Sequence, residues 1–175
     1  MPKYKIAIVG PESTGKSTLT KQLVEYFKTR YLTEYARTYI NELDRNYCYE
    51  DLAIIAQKQV ELKNQMLLNE EAIFFADTSL LTIEIWSRDK FNKCDSWISD
   101  EIQKEKFDLY LLCDIDTPWV YDKQREDENR REEIFELYKY CLNKYCFKYE
   151  LVSGLGSERL SNAVLAINKY MEIER

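Results

Sequence analysis

A short glycine-containing segment near the start of the chain constrains the fold more than any other feature of the sequence. Residues Gly10 to Ser17 match the pattern GxxxxGK[ST] at every fixed position. The segment follows an apolar run, Tyr4 to Val9, that predicts a buried strand, and a helical pattern begins near Lys16. A strand, a glycine turn and a helix in this order predict a phosphate-binding loop, because the loop amides and the positive end of the helix dipole point at the same anion.

Each residue type in this loop has a physical role in holding a nucleoside triphosphate. Glycine permits backbone conformations that turn successive amides toward phosphate oxygens. Lys16 supplies a positive charge for the β- and γ-phosphates, and the Ser17 hydroxyl is a ligand for Mg²⁺. The loop therefore predicts binding of ATP or GTP together with Mg²⁺. Seven residues are assigned to nucleotide binding: Gly10, Ser13, Thr14, Gly15, Lys16, Ser17 and Thr18.

Short apolar runs alternate with helical patterns along the rest of the chain. Four further strands are predicted at residues 31–33, 72–76, 109–113 and 149–152, and further helices at 49–71, 78–89, 131–146 and from 157 onward. Strands of this length between helices predict a parallel sheet that is covered on both faces. We therefore expect a three-layer α/β fold of the P-loop NTPase type, with about five parallel strands and a lid segment, formed by a single domain over residues 1–175.

The composition argues against several classes of protein. A net charge of −6 without a basic face argues against nucleic-acid or anionic-membrane binding. The chain has no histidine, which excludes Ser-His-Asp catalysis, and its five cysteines lack the CxxC spacing of a zinc site. We find no signal peptide and no apolar run of 18 residues, so we expect reduced thiols and a cytoplasmic protein.

Charged residues follow three of the predicted strands. Asp77 comes directly after the third strand and Asp114 after the fourth. Ligands of open parallel sheets bind beyond the carboxyl ends of the strands, so either carboxylate could hold magnesium or orient an acceptor hydroxyl. The alternative for Asp77 is a helix N-cap. Glu34 and Arg37 follow the second strand, where they could contact a ribose hydroxyl or a phosphate, with Glu34 as a possible base, or simply begin an exposed charged helix.

A polar, proline-containing segment, residues 117–125, follows the fourth strand and leads into Arg130. Phosphotransferases must keep water from the γ-phosphate, and a mobile lid that carries arginines does this while it stabilises the transferred charge. Arg125 and Arg130 are the candidate lid arginines, and Trp119 is a candidate stacking surface for a flat heterocycle. The alternative is a solvated charged turn with a core tryptophan. Gly154, after the fifth strand, is a candidate for the adenine side of the site, with a plain strand–helix turn as the alternative.

Several stretches, taken in order along the chain, resemble one known family. They are GPESTGKST from Gly10, EYAR from Glu34, FADT from Phe75, DLYLL from Asp108, TPWVYD from Thr117 and GLGSER from Gly154. Together they resemble the ribosylnicotinamide kinase domain of the NadR-type NAD-biosynthesis proteins. The GxxxxGK[ST] pattern is shared by many families, whereas the combination of ESTGKST, EYAR and TPWV is far more specific. The resemblance covers nearly the whole chain.

The resemblance implies ATP-dependent phosphorylation of a small-molecule nucleoside. The reaction would transfer a phosphoryl group to the ribose 5′-hydroxyl of nicotinamide riboside and give nicotinamide mononucleotide. By position, the resemblance implies that Gly15, Lys16 and Ser17 bind the nucleotide phosphates and Mg²⁺, and that Asp77 is the strand-end carboxylate and a metal ligand. It implies that Glu34 and Arg37 contact the acceptor and that Trp119, with Asp122 beside it, faces the nicotinamide ring. Arg125 and Arg130 would belong to the lid.

The chain also departs from this family in ways that matter for function. Members often carry adenylyltransferase and helix-turn-helix domains ahead of the kinase, whereas this chain begins directly at the kinase strand. The adenylyltransferase reaction depends on a histidine motif, so we do not expect it in a chain without histidine. The Asp77-Thr78-Ser79 stretch lacks the acidic third position of many members, which weakens the expectation of metal ligation there. A kinase for another nucleoside or small metabolite and an ATP-binding regulatory switch stay open from the sequence, as do the preference for ATP over GTP and the oligomeric state.

Overall fold

Parallel strands alternate with helices throughout the computed structural model, which describes residues 4–68, 71–105 and 107–173. The elements are β1 (Tyr4–Val9), α1 (Lys16–Phe27), β2 (Tyr31–Leu32), α2 (Tyr35–Glu42), α3 (Tyr49–Met66), β3 (Ile73–Asp77), α4 (Leu80–Phe91), α5 (Ser96–Glu105), β4 (Leu109–Cys113), α6 (Arg131–Lys144), β5 (Tyr149–Val152) and α7 (Ser157–Ile173). Over the described residues, none of the helices combines the length and the apolar character that crossing a bilayer requires.

The five strands form one sheet in the order β2-β3-β1-β4-β5, and every neighbouring pair is parallel. The predicted five-stranded parallel α/β fold is confirmed. Strand β1 lies at the centre, so the loop that follows it emerges between the ends of β3 and β4. The pairing places Ile8 beside Asp77 and Val9 beside Leu112. Because all the strands run in one direction, the residues that follow them meet at one edge of the sheet.

Alternating side chains along the strands build a separate core on each face of the sheet. Ile6, Ile8 and Phe75 are fully buried on the face that is covered by α1 and α7. Ala7 and Phe74 point to the opposite face, which is covered by helices α2 to α6. Burying a side chain of the size of isoleucine or phenylalanine contributes roughly 1.5–3 kcal/mol, so the two faces together fix the register of the central strands.

Helix ends and two whole helices differ from the predictions. Helix α3 ends at Met66, before the predicted end at residue 71, and residues 69–70 lie outside the described part of the chain. Helix α6 ends at Lys144 and not at residue 146. Helices α2 and α5 have no counterpart among the predicted helices, although a helix start was the alternative for Glu34 and Arg37. The apolar stripe of α5 consists mainly of Ile98 and Ile102, which are buried in the core. Two apolar residues four positions apart are too few to predict a helix from the sequence.

Candidate functional site

The glycine loop has the conformation that its sequence predicts. Gly10 has a φ of +139°, and Gly15 has a φ of 77° and is the N-cap of α1. Thr14 donates a hydrogen bond from Oγ1 to the carbonyl of Pro11 at 2.8 Å, and the Lys16 ammonium donates to the same carbonyl at 2.7 Å. The loop is therefore preformed, and the charge of Lys16 is held over it at the amino end of α1, where a phosphate is favoured.

A buried arginine from the last helix anchors the loop from behind. Arg159 is 4% exposed, and its Nη1 donates to the carbonyl of Thr14 at 2.6 Å. Its Nε donates to the carbonyl of Gly154 at 2.7 Å, and its other amino group contacts Asp116. The amide of Gly154 donates to Asp116 Oδ2 at 2.6 Å. Gly154 thus takes part in a brace beneath the phosphate loop, and Arg159, to which no role was predicted, is the centre of that brace.

A cavity of about 440 Å³ opens in front of the loop, toward β2 and β3. Eleven of the predicted site residues line it: Gly10, Ser13, Thr14, Gly15, Lys16, Ser17, Thr18, Glu34, Arg37, Arg125 and Arg130. Four others, Asp77, Trp119, Asp122 and Gly154, are not among the residues that line this cavity within the described part of the chain. The cavity therefore joins the phosphate loop to the residues that follow β2, and it leaves out the turn that follows β5.

Glu34 lies close to the lysine of the loop and to a second carboxylate, Asp77. Burial raises the pKa of Glu34, Lys16 opposes this increase, and the nearby charge of Asp77 adds to it. Asp77 is 4% exposed, and its Oδ1 has no hydrogen-bond partner among the described residues. The N-cap of α4 is Ser79, whose side chain accepts a hydrogen bond from the amide of Leu81 at 3.3 Å. The alternative role of Asp77 as an N-cap is therefore wrong, and its carboxylate does not cap the helix that follows.

The residues at this edge fit a magnesium ion. Mg²⁺ prefers oxygen ligands and is usually bound through one or two protein groups together with phosphate oxygens. The Ser17 hydroxyl lines the cavity, and the buried carboxylate of Asp77 has an oxygen without a partner in the described structure. These two side chains would hold the ion.

The segment between β4 and α6, residues 114–130, lies against the phosphate loop and is called the lid segment below. Thr117 donates from Oγ1 to the carbonyl of Ser13 at 2.6 Å, and the amide of Val120 donates to Ser13 Oγ at 2.9 Å. The amides of Glu126 and Asp127 donate to Glu12 Oε2 at 2.9 and 3.2 Å. Two loop positions that the motif leaves variable, Glu12 and Ser13, thus hold the lid segment against the phosphate loop.

The two lid arginines lie in different electrostatic surroundings. Arg125 donates a hydrogen bond from Nη1 to Ser13 Oγ at 3.3 Å, which places its charge at the phosphate loop. Arg130 forms ion pairs with Asp89 at 2.6 Å, Asp127 at 3.2 Å and Glu133 at 2.8 Å. Arg125 is therefore the lid cation that is placed to meet phosphate, whereas Arg130 ties the lid segment to α4.

The predicted aromatic face lies outside the cavity, and a different tryptophan lies inside it. Trp119 is half-buried in the lid segment. Asp122 forms an ion pair with Arg37 at 3.0 Å. Trp86 of α4 lines the cavity and donates from Nε1 to the hydroxyl of Tyr47 at 3.0 Å. The spacing of Trp86 relative to Thr82 and Asp89 could have indicated that these residues share one face of a helix. The sequence holds no signal that pairs Trp86 with Tyr47, which lies in the loop before α3.

Comparisons with known proteins identify the family and the fold of this chain. The sequence profile of the AAA domain family matches residues 5–159. The trifunctional NAD biosynthesis/regulator protein NadR of Escherichia coli (strain K12) is 29% identical over 126 residues, which cover 69% of this chain and 30% of that protein. The chain therefore spans about a third of the length of this curated relative.

Two solved structures of NadR proteins share the fold. One, in complex with NR, has a TM-score of 0.83 at 23% identity and covers 96% of this chain and 51% of its own. The other, in complex with NAD and AMP-PNP, has a TM-score of 0.81 at 21% identity, with 96% and 49% covered. With the profile match over most of its length, the chain belongs to the AAA domain family of P-loop proteins and is homologous to NadR.

Proposed function

We propose that this chain is an ATP-dependent kinase that phosphorylates the ribose 5′-hydroxyl of nicotinamide riboside and gives nicotinamide mononucleotide. The observation that carries the proposal is the cavity that joins the phosphate loop to Glu34 and Arg37. A nucleotide switch would need only the loop, whereas a kinase needs a second pocket from which an acceptor can reach the γ-phosphate. The NadR relative and the NadR structures with NR and with AMP-PNP support this choice of acceptor and donor.

The protein groups in the loop bind and orient the triphosphate. Lys16 neutralises the β- and γ-phosphates, and the lid segment brings the charge of Arg125 to the same place. Ser17 and Asp77 would hold Mg²⁺, which when bound would supply charge stabilisation on the phosphate oxygens. The closed lid segment keeps water away, so the acceptor hydroxyl meets less competition for the γ-phosphate.

Glu34 is the group that we propose as the base. In the transfer, the ribose 5′-oxygen bonds to the γ-phosphorus while the bond from that phosphorus to the β–γ bridging oxygen breaks, and the hydroxyl proton passes to the Glu34 carboxylate. Burial raises the pKa of Glu34, which makes its carboxylate a better proton acceptor than an exposed one. Glu34 lines the cavity, whereas Asp77 ends β3 beside Ile8, two residues before the phosphate loop. We therefore divide their roles, with Glu34 accepting the proton and Asp77 serving the metal.

A coupled assay that follows ADP formation tests the proposal, with nicotinamide riboside in a panel of ribonucleosides and deoxyribonucleosides. We expect nicotinamide riboside to give the highest kcat/KM, product confirmed as the 5′-phosphate, and Lys16→Ala to give no product. A higher kcat/KM for another nucleoside would show that the acceptor is not nicotinamide riboside, while the assignment as a kinase would stand. Tight ATP binding without transfer to any acceptor would instead indicate a regulatory switch. The proposal places the reaction in the cytoplasm, where ATP is available.

A further inference from the structure

One face of helix α4 forms part of the wall of the cavity. Thr82, Ile85, Trp86 and Asp89 all line the cavity and follow the i, i+3, i+4, i+7 spacing of a single helical face. We infer that Trp86, and not Trp119, is the aromatic face that recognises the ring of the acceptor and sets its specificity. This inference rests on the proposed function and identifies the residue that would select a flat, positively charged heterocycle.

The topology of the sheet assigns this wall to the acceptor. Helix α4 follows β3, and Glu34 follows β2, so both lie on the same side of the central strand β1. The turn that contains Gly154 follows β5, at the opposite end of the sheet, and does not line the cavity within the described residues. A ligand against Trp86 therefore shares the pocket with Glu34, the proposed base, rather than with the Gly154 turn.

A tyrosine fixes the orientation of the tryptophan ring. Trp86 Nε1 donates to the Tyr47 hydroxyl at 3.0 Å, and the two rings meet edge-to-face with centroids 4.7 Å apart. The polar edge of the indole is thus already satisfied, so the indole offers a ligand its π-face rather than its N–H group. Tyr47 also donates to Glu126 Oε2 at 3.1 Å, which links the position of the indole to the lid segment. Tyr47 is a positioning residue.

The charges around Trp86 suit a cationic ring. Among the described residues, three cations on this side of the cavity are paired: Arg37 with Asp122 at 3.0 Å, Lys90 with Glu126 at 2.5 Å and Arg130 with Asp89 at 2.6 Å. These pairs neutralise the repulsion that free cations would exert on a pyridinium ring. A cation within reach of an indole face is attracted by its quadrupole, and this attraction is strongest where water is excluded, as beneath a closed lid segment.

Fluorescence gives a test that does not depend on turnover. The chain has three tryptophans, so Trp97→Phe with Trp119→Phe leaves Trp86 as the sole tryptophan, whose emission is followed with selective excitation of indole over tyrosine. Titration with nicotinamide riboside should quench this emission saturably, because an excited indole transfers an electron to a pyridinium ring in contact with it. The matched protein with Trp86→Phe and Trp97→Phe retains only Trp119 and should show little saturable quenching. Saturable quenching in the Trp119 protein, and none in the Trp86 protein, would overturn the inference.

Steady-state kinetics gives a second test. Trp86→Ala should raise KM for nicotinamide riboside by roughly five- to thirtyfold and leave KM for ATP nearly unchanged, with part of the loss recovered in Trp86→Phe. The variant should also lose the preference for nicotinamide riboside over its reduced, uncharged form. Tyr47→Phe should shift the emission of the Trp86-only protein, because the indole N–H loses its partner.

The outcomes separate this inference from the proposed function. If the wild type phosphorylates nicotinamide riboside and Trp86→Ala keeps its KM and its preference for the charged ring, the inference is wrong and the kinase stands. If Trp119→Ala alone raises that KM, the aromatic face belongs to the lid segment. If the wild type neither binds nor phosphorylates nicotinamide riboside, both the proposed acceptor and the inference fail.

Discussion

The two glycines of the phosphate loop should respond very differently to the same substitution. At Gly10 an added Cβ would lie 2.9 Å from the carbonyl oxygen and 3.3 Å from the amide nitrogen of Cys113, which are backbone atoms of the buried strand β4. A strained φ costs about 1–3 kcal/mol, and overpacking in a core costs about 1–3 kcal/mol more. Gly10→Ala should therefore lower the free energy of unfolding by roughly 2–6 kcal/mol.

Gly15→Ala is the matched control, because it changes the same loop by the same atoms. At Gly15 an added Cβ would meet no atom within 4 Å, so only the left-handed backbone, with a φ of 77°, is unfavourable. That conformation costs an L-residue about 1–2 kcal/mol. In a chain of this size 1 kcal/mol corresponds to about 2–4 °C in Tm.

The assay is thermal unfolding, followed by circular dichroism without nucleotide, with urea unfolding to give the free energies. We expect Tm to fall by roughly 4–24 °C in Gly10→Ala and by roughly 2–8 °C in Gly15→Ala. Equal losses in the two variants, or a larger loss in Gly15→Ala, would refute the reasoning, because close contact with β4 would then contribute nothing.

The remaining predictions concern charged groups. Lys16→Ala should abolish phosphoryl transfer while Tm changes little, since the hydrogen bond of its ammonium is to a loop carbonyl; a large fall in Tm would instead make Lys16 structural. Glu34→Gln should lower kcat by roughly 10²- to 10⁴-fold and remove the acidic limb of the pH–rate profile. If Asp77→Asn is instead the slower enzyme and Glu34→Gln keeps the acidic limb, the roles of the two carboxylates are exchanged. The limb should lie above the ordinary pKa of glutamate, because burial raises the pKa of Glu34 and its charged form appears only at higher pH. Hydrogen bonds from Arg45 lower the pKa of Asp51, so its stabilisation is present above its ordinary pKa of 3.8 and is lost as pH falls below that value. Asp51→Asn should therefore cost about 1–3 kcal/mol in urea unfolding at pH 7 and less at pH 3, and an equal cost at both would contradict the assignment.

The phosphate loop could be predicted from the sequence because everything it needs is local. Gly10 and Gly15 permit the turn, the apolar run before them forms β1, and Lys16 stands at the start of α1. The same holds for the five strands, whose apolar runs are short and bounded by turn residues. The parallel sheet could be predicted from the alternation of strands with helices, because the helices that connect parallel strands cover both faces of the sheet.

The acceptor side depended on contacts between distant segments. The order β2-β3-β1-β4-β5 brings Glu34 and helix α4 to one side of β1, and no local pattern encodes that order. The lid segment shows the same limit, since Trp119 looked like an acceptor face but lies outside the cavity once Thr117 and Val120 bind Ser13. Side chains in a loop point where the docking of the loop directs them. The sequence by itself thus determined the chemistry that holds phosphate, through neighbours along the chain, whereas only the tertiary structure decided that Trp86 shares a cavity with that chemistry, because their contact depends on how separate elements pack.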